Sequence, residues 1–347
     1  MTAHEPDTLF PVSIRPHPAA AAAEEDMRRW LDGFGLCRAP GARATLHHAR
    51  VAHCIGLFHP EAPQEAIRLL SRVAGWSLMI DEEFDSGPAR TDPAACAAAV
   101  TAILGALAPI PEPGRVTVRD TDDAMTRAAA DLRRSLESGC PVGWTARFHA
   151  HMADWMWGIY AEVVDRTAGR RPALAELRER RRDSYGLLWY LDLCEIAVGV
   201  YLPEAVHRLP AFRALSAAAC DITALCNDRA SADRERTMGD VHSVVLLLED
   251  RHGMSPAQAA SRADEMITED AERIRSAYRD LPGQLRAAGL DGPTVRDAMR
   301  CADGYLDMVR GNHAYHRTCG RYTEPDALPD SASRAEGFAA PPTRTPR

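Results

Sequence analysis

The sequence predicts an all-α protein, and three observations support that prediction. Long stretches repeat apolar residues at three- and four-residue spacing, which is the period of an amphipathic helix. Strand signals are poor, because apolar and polar residues rarely alternate and no Asn-Gly or Asp-Gly turn joins β-branched runs. The chain shows neither an internal repeat nor a linker, so we expect one helical domain from residue 19 to 322.

The helical segments can be followed in order along the chain. The period is clearest in residues 65–84, 144–164, 187–202 and 241–254. Breaks are expected at Pro109–Gly114, Gly139–Gly143, Gly169–Pro172 and Leu281–Gly283, which would divide the chain into roughly ten or eleven helices. Residues 1–18 are predicted to form an extended arm. The tail 323–347, rich in Pro, Ala, Ser and Arg, is predicted to be disordered.

Composition limits what the chain can do. Its 347 residues are 46% hydrophobic and 26% charged, and the net charge of -8 gives no general attraction to nucleic acid. All 41 basic residues are arginine, which excludes Schiff-base lysine chemistry. The nine cysteines include no CxxC pair, the first residues do not resemble a signal peptide, and no apolar run is long enough for a membrane span. We therefore expect a soluble, cytoplasmic protein with reduced thiols.

A long apolar helix ends in four acids, Asp81, Glu82, Glu83 and Asp85. Asp81 and Asp85 lie one turn apart on one helix face, near the negative pole of the helix dipole. Bound cations would relieve the repulsion, and Mg²⁺ prefers a few carboxylates together with substrate phosphates. The alternative is a solvated helix end. A second acidic cluster, Asp120–Asp123, is better explained as a helix N-cap.

A second polar segment places three oxygen donors on one face of a helix. Asn227, Ser231 and Glu235 recur every four residues and could chelate one hard metal ion. Arg234 projects close to the same face, and a cation beside a metal site implies an anion such as diphosphate. The alternative for these residues alone is a polar stripe on the surface.

These segments together resemble the bacterial class I terpene synthases. The pattern Asn-Asp-x-x-Ser-x-x-x-Glu at 227–235, followed by Gly-Asp-x-His at 239–242, is similar to the second metal-binding motif of that family. The acidic segment resembles its aspartate-rich motif, and Arg321-Tyr322 resembles its C-terminal Arg-Tyr pair. The resemblance extends from about residue 10 to 323.

The resemblance implies a helical bundle around a central apolar cavity and a terpene cyclase, a carbon–oxygen lyase acting on phosphates. It implies three Mg²⁺ ions. Two would be bound principally by Asp81 with support from Asp85, and the third by Asn227, Ser231 and Glu235.

The resemblance also assigns residues to the diphosphate. Arg234 stands where the family has a lysine or arginine that contacts diphosphate, and Arg321 and Tyr322 match the pair that hydrogen-bonds it when the site closes.

The family further carries an arginine about 46 residues before the metal-binding Asn, which senses diphosphate from a broken helix. That count gives Arg181, with Arg182 as a rival if the register slips by one. Ser184, Tyr185 and Gly186 would then form the break, where a backbone carbonyl faces the substrate.

An allylic cation requires a cavity that excludes water and whose wall presents the faces of aromatic rings. The candidates are Trp76, Phe84, Trp155, Trp157, Trp189 and Tyr315, each of which could equally be an ordinary core residue. The chain departs from the family at Glu82, where an Asp is common, at Ser77 and Leu78, where aromatics are common, and at Tyr315, where tryptophan is common. These changes would alter the cavity wall and hence the product.

The resemblance favours farnesyl diphosphate as substrate, with geranylgeranyl diphosphate as the alternative. A non-catalytic helical protein that binds prenyl diphosphate is the alternative from another class. A chain-elongating prenyltransferase is disfavoured, because it would carry a second aspartate-rich motif. A DNA-binding regulator is disfavoured by the charge. A homodimer is common in the family.

Overall fold

The computed structural model describes residues 15–38, 40–109, 118–120, 122–239 and 242–323. Every regular element within these ranges is helical, which confirms the all-α prediction. Most of the predicted arm, tail and break Pro109–Gly114 lies outside the described residues. The boundaries proposed for one domain therefore stay a prediction.

The helices follow in chain order. They are α1 (Ala20–Phe34), α2 (Pro40–Ala49), α3 (Val51–Phe58), α4 (Gln64–Ser86), a 3-10 turn (Pro88–Thr91), α5 (Pro93–Leu107), α6 (Ala124–Gly139), α7 (Val142–Ala168), α8 (Leu174–Ser184), α9 (Leu187–Val198), α10 (Glu204–His207), α11 (Pro210–Met238), α12 (Val244–His252), α13 (Pro256–Ala287), α14 (Gly292–Thr318) and α15 (Gly320–Thr323).

One compact unit is built around α11. It contains Gly56–Pro63, Arg171–Thr318 and the described end of Met1–His17. Helix α11 packs against α8, α9, α10, α12, α13 and α14, so the face that carries Asn227 is fixed by several neighbours. The partner helix α13 begins with a capping box, in which the side chains of Ser255 and Gln258 satisfy backbone N–H groups.

The other compact unit combines Pro18–Ile55, Gln64–Arg170 and the described start of Cys319–Arg347. Helix α4 packs against α1 and α6, and α5 packs against α6 and α7. The buried side chains of α4 include Ile67, Leu70 and Val73, whose three-residue spacing gives the helix one apolar face. This face anchors the helix that ends in the acidic segment.

The structure describes more helices than the ten or eleven expected, because several are short. Helices α2 and α3 are separated by Arg50 alone, which has a left-handed φ of 47°. The breaks predicted at Gly139–Gly143 and Gly169–Pro172 are confirmed. Asp123 is the N-cap of α6 and accepts from the backbone N of Thr126, as expected for the second acidic cluster.

The break predicted at Leu281–Gly283 is wrong. Helix α13 continues through Pro282 to Ala287. Proline removes one backbone N–H donor from the ladder, which normally bends or ends a helix. Here Leu281 and Leu285 are fully buried on either side of the proline. Their packing holds the last turns in the helix.

Candidate active site: two metal-binding segments

The acidic segment closes α4 as predicted. Trp76, Met79 and Ile80 are fully buried in the turns before it, so the acids end a helix held by its apolar face. Asp81 and Asp85, the predicted metal ligands, are both half-buried. Arg90 in the following 3-10 turn donates to the backbone carbonyl of Asp85 at 2.6 Å, which ties down the end of the helix.

Glu82 forms a buried ion pair with Arg321. The Arg321 Nη1 and Glu82 Oε1 atoms are 2.5 Å apart, and each side chain is about one-twentieth exposed. Burial opposes the charge of the guanidinium, but Glu82, Tyr322 and Asp81 outweigh it and raise the pKa of Arg321 well above its usual value. The structure therefore brings the Arg-Tyr pair to the acidic segment, with Arg321 bound to the residue at which the chain departs from the family.

Glu83 differs from an ordinary glutamate in the pKa of its carboxyl group. Burial raises the pKa of Glu83 to about 8, so its carboxyl is mostly protonated at neutral pH. It packs against Gly87, where an added Cβ would meet Glu83 Oε1 at 2.2 Å. With Glu82 paired and Glu83 protonated, the segment carries less negative charge than its four acids imply.

The second segment lies on α11 as predicted. The Ser231 hydroxyl is 2.7 Å from the backbone carbonyl of Asn227 and 2.6 Å from Glu235 Oε1. Ser231 is buried, whereas Asn227 and Glu235 are half-buried. Three oxygen-bearing side chains thus follow one face of the helix over two turns. Gly239 ends the helix with φ 66°, a conformation that favours glycine, and Asp240 of the motif lies outside the described residues.

Arg181 contacts the residue next to Asn227. Its Nη2 atom donates to Asp228 Oδ1 at 2.6 Å, and Asp228 is fully buried and also accepts from the backbone N of Val244 at 2.8 Å. The rival Arg182 points to another place, since it forms a two-pronged ion pair with Asp221 at 2.7 and 2.9 Å. Asp228 lies inside the motif at 227–235, but neither its spacing nor the resemblance to the family indicated its ion pair with Arg181.

The chain breaks after α8 as expected. Helix α8 ends at Ser184, Gly186 has φ 79°, and α9 begins at Leu187. A left-handed glycine lets the chain start a new helix without strain. The Tyr185 ring lies 5.5 Å from the Arg181 guanidinium carbon, and its hydroxyl accepts from Asn312 Nδ2 at 3.3 Å. Tyr185 and Gly186 therefore lie at the break, next to Arg181.

Arg234 supplies a half-buried cation on α11. Its Nε atom is buried and makes no hydrogen bond to any residue that the structure describes. A buried guanidinium N–H without an acceptor is costly, so an anionic ligand would satisfy it.

The aromatic candidates differ in burial. Trp157 is 41% exposed, whereas the others are at most 8% exposed. The buried ones are Trp76, Phe84, Trp155, Trp189 and Tyr315. Trp76 donates to the backbone carbonyl of Met125 at 3.2 Å, and Trp189 stacks on Tyr190 with ring centroids 3.8 Å apart. These contacts fix both indole rings.

Clusters of metal-binding side chains and membrane-spanning helices can be assessed over the described residues. No three or more His, Cys, Asp or Glu side chains there form a group that could hold a metal ion. Neither predicted ligand set depends on such a group, because one uses two aspartates and the other combines amide, hydroxyl and carboxylate oxygens. Within the same residues, no helix is both long and apolar enough to cross a membrane.

An all-α fold with an acidic helix end and an Asn/Ser/Glu helix face defines the class I terpene synthases. The chain belongs to this class: the model of terpene synthase family 2, C-terminal metal binding, matches residues 72–273, more than half of the chain. It is therefore a terpene cyclase of a metal-binding family.

Individual relatives agree with the family match. The chain is 28% identical over 337 residues to isoafricanol synthase of Streptomyces violaceusniger, covering 95% of this chain and 87% of that protein. It is 26% identical over 315 residues to pristinol synthase of Streptomyces pristinaespiralis, covering 91% and 83%. The fold matches linalool/nerolidol synthase from Streptomyces clavuligerus, solved in complex with 2-fluorogeranyl diphosphate, with a TM-score of 0.77, 22% identity and coverage of 87% and 100%.

Proposed function

We propose that this chain ionises farnesyl diphosphate in the presence of Mg²⁺ and cyclises the carbocation to a sesquiterpene. The allylic C–O bond breaks heterolytically, its electron pair leaves with the diphosphate, and the cascade ends by loss of a proton or capture of water. The observation that carries the proposal is the Asn227, Ser231 and Glu235 face beside the buried Nε of Arg234, which has no acceptor among the described residues.

The donor chemistry fits magnesium. Asp81 and Asp85 on α4 and the three oxygen donors on α11 are hard ligands that would hold three Mg²⁺ ions together with diphosphate oxygens. Bound Mg²⁺ would supply charge neutralisation to the leaving group. The lysine-free composition leaves arginine as the residue for the remaining phosphate contacts.

The chain's own cations complete the proposal. Arg234 would bind diphosphate through its Nε–H group, which has no acceptor in the described part of the chain, and Arg181 would sense it at the helix break with Tyr185 and Gly186. Arg321 and Tyr322 would also bind it, with the five N–H donors of Arg321 divided between Glu82 and the diphosphate.

The apolar side chains would protect and steer the cation. Trp76, Phe84, Trp189 and Tyr315 are assigned to the wall, where ring faces stabilise positive carbon and exclude water. Geranylgeranyl diphosphate remains the alternative substrate. Family membership favours an enzyme over a non-catalytic binding protein.

The direct test is incubation of the purified protein with Mg²⁺ and, separately, geranyl, farnesyl and geranylgeranyl diphosphates. Extracts are analysed by gas chromatography–mass spectrometry, with EDTA and Asn227→Ala as controls. We expect a cyclic product from farnesyl diphosphate that disappears in both controls. A product from geranylgeranyl diphosphate alone would replace the substrate assignment, and no product from any of the three would overturn the proposal.

A further inference from the structure

The side chain of Asn227 is held by a histidine from another helix. Asn227 Nδ2 and His316 Nε2 are 3.2 Å apart, and His316 lies on α14, which packs against α11. His316 is buried, with 7% of its surface exposed. Its position in the sequence, 89 residues after Asn227, gave no sign of this contact.

The hydrogen-bond partners of the imidazole fix its tautomer. His316 Nδ1 is 2.8 Å from the backbone carbonyl oxygen of Asn312, which can only accept. Nδ1 must therefore carry a proton. Nε2 faces Asn227 Nδ2, and because an NH₂ group can only donate, Nε2 is the acceptor in this contact.

This chain of hydrogen bonds decides the orientation of the carboxamide. An amide can rotate by half a turn, which exchanges a metal-binding oxygen for a nitrogen that carries two protons and cannot bind a cation. With the NH₂ group held at His316, Oδ1 is the atom left on the other side of the amide. The same α14 segment reaches the helix break, because Asn312 Nδ2 donates to the Tyr185 hydroxyl.

We propose that His316 is a positioning residue, which orients the Asn227 carboxamide so that Oδ1 is presented to the metal ion. The inference rests on the proposed function, since it needs a metal at Asn227. Outer-shell partners of this kind typically contribute about tenfold to a hundredfold in metal affinity.

The test measures Mg²⁺ affinity by calorimetric titration in the presence of inorganic pyrophosphate, so that no turnover is needed. His316→Phe keeps a buried ring but offers no acceptor, and we expect it to weaken Mg²⁺ binding by about tenfold or more. His316→Gln restores an acceptor near the place of Nε2 and should recover most of the affinity. Product formation by His316→Phe should recover when Mg²⁺ is raised to saturation.

His313→Phe is the matched control. His313 lies on the same helix, and it contacts Cys226, whose Sγ is 4.0 Å from His313 Nδ1. We expect its Mg²⁺ affinity to equal that of the wild type. Thermal unfolding without ligand verifies that each variant is folded, and His316→Leu replaces His316→Phe in the comparison if the latter does not fold.

The outcomes separate the two claims. Wild-type affinity in His316→Phe, or equal loss in His316→Phe and His316→Gln, overturns the positioning role and leaves the proposed function intact. Failure of the wild-type protein itself to bind Mg²⁺ with pyrophosphate overturns the proposed metal site.

Discussion

At the scale of single residues, a buried ion pair joins Arg181 to Asp228. Asp228 is fully buried, and Arg181 is 12% exposed. Arg181→Met leaves the carboxylate without its cation, so we expect the free energy of unfolding to fall by about 3–5 kcal/mol. Denaturant unfolding measures the change, and adding Asp228→Asn should restore part of it.

Arg180→Ala is the control for this pair. Arg180 neighbours Arg181 on α8 but forms a partly exposed pair with Glu176, with 33% and 39% of the two side chains exposed. Such pairs contribute about 0–1 kcal/mol. Equal losses in Arg180→Ala and Arg181→Met would contradict the prediction.

A second residue, His59, makes stability depend on pH. Burial lowers the pKa of His59 from 6.5 to about 3 in the folded protein, where only 4% of its surface is exposed. Below pH 6.5 the imidazole of His59 therefore binds a proton more readily in the unfolded chain than in the folded protein. The stability contribution is complete above that pH and is lost as the pH falls toward 3.

Each pH unit below 6.5 lowers the free energy of unfolding by roughly 1.4 kcal/mol through this group. We therefore expect His59 to lower the free energy of unfolding by about 2 kcal/mol at about pH 5. Unfolding free energies of the wild type and His59→Phe, compared between about pH 7.5 and 5, measure the difference. The variant should lose less stability on acidification, and identical losses would refute the assignment.

At the scale of elements, α14 depends on a close approach at Gly311. An added Cβ there would lie 2.4 Å from the backbone oxygen of Leu57 and 2.9 Å from the backbone nitrogen of Phe58. Backbone atoms cannot turn aside, so Gly311→Ala should destabilise the protein by about 1–3 kcal/mol. Thermal unfolding tests this.

Gly283→Ala on α13 is the matched control. No atom lies within 4 Å of an added Cβ at Gly283. Alanine is a better helix former by about 1 kcal/mol, so this variant should equal or exceed the wild type in stability. A loss at Gly283 as large as that at Gly311 would show that the contact with Leu57 is not the cause.

At the scale of the whole molecule, the nine cysteines are all thiols rather than disulfides. Burial raises the pKa of Cys37 and Cys96 to about 11 and that of Cys226 to about 12, so these thiols resist alkylation. Cys140, at the end of α6, and Cys54 are the half-buried cysteines, and burial raises the pKa of the Cys54 thiol well above its usual value. We expect Cys140 to react first.

Iodoacetamide labelling at about pH 7.5 followed by peptide mass spectrometry measures this order. Native protein should carry label mainly at Cys140, and denatured protein should carry it at every cysteine. Cys140→Ser should remove most of the native label. Rapid native labelling of Cys96 or Cys226 would show that the protein opens far more readily than its packing implies.

The helical class follows from the sequence, because three- and four-residue apolar spacing is a local property. The resemblance to the family rests in part on local spacing too, since Asn227, Ser231 and Glu235 recur every four residues along one helix face. The acidic end of α4 was readable for the same reason, since these features depend on residues within a few turns of one another. The break at Gly186, by contrast, was expected from the resemblance to the family.

Contacts between groups that are distant in sequence depend on the tertiary structure. Arg181 rather than Arg182 reaches Asp228, Arg321 pairs with Glu82, and His316 holds Asn227. Packing also keeps α13 helical past Pro282, although proline locally favours the end of a helix. Such pairings depend on how helices far apart in sequence cross, and burial then sets their energy by removing the water that would otherwise satisfy each charge.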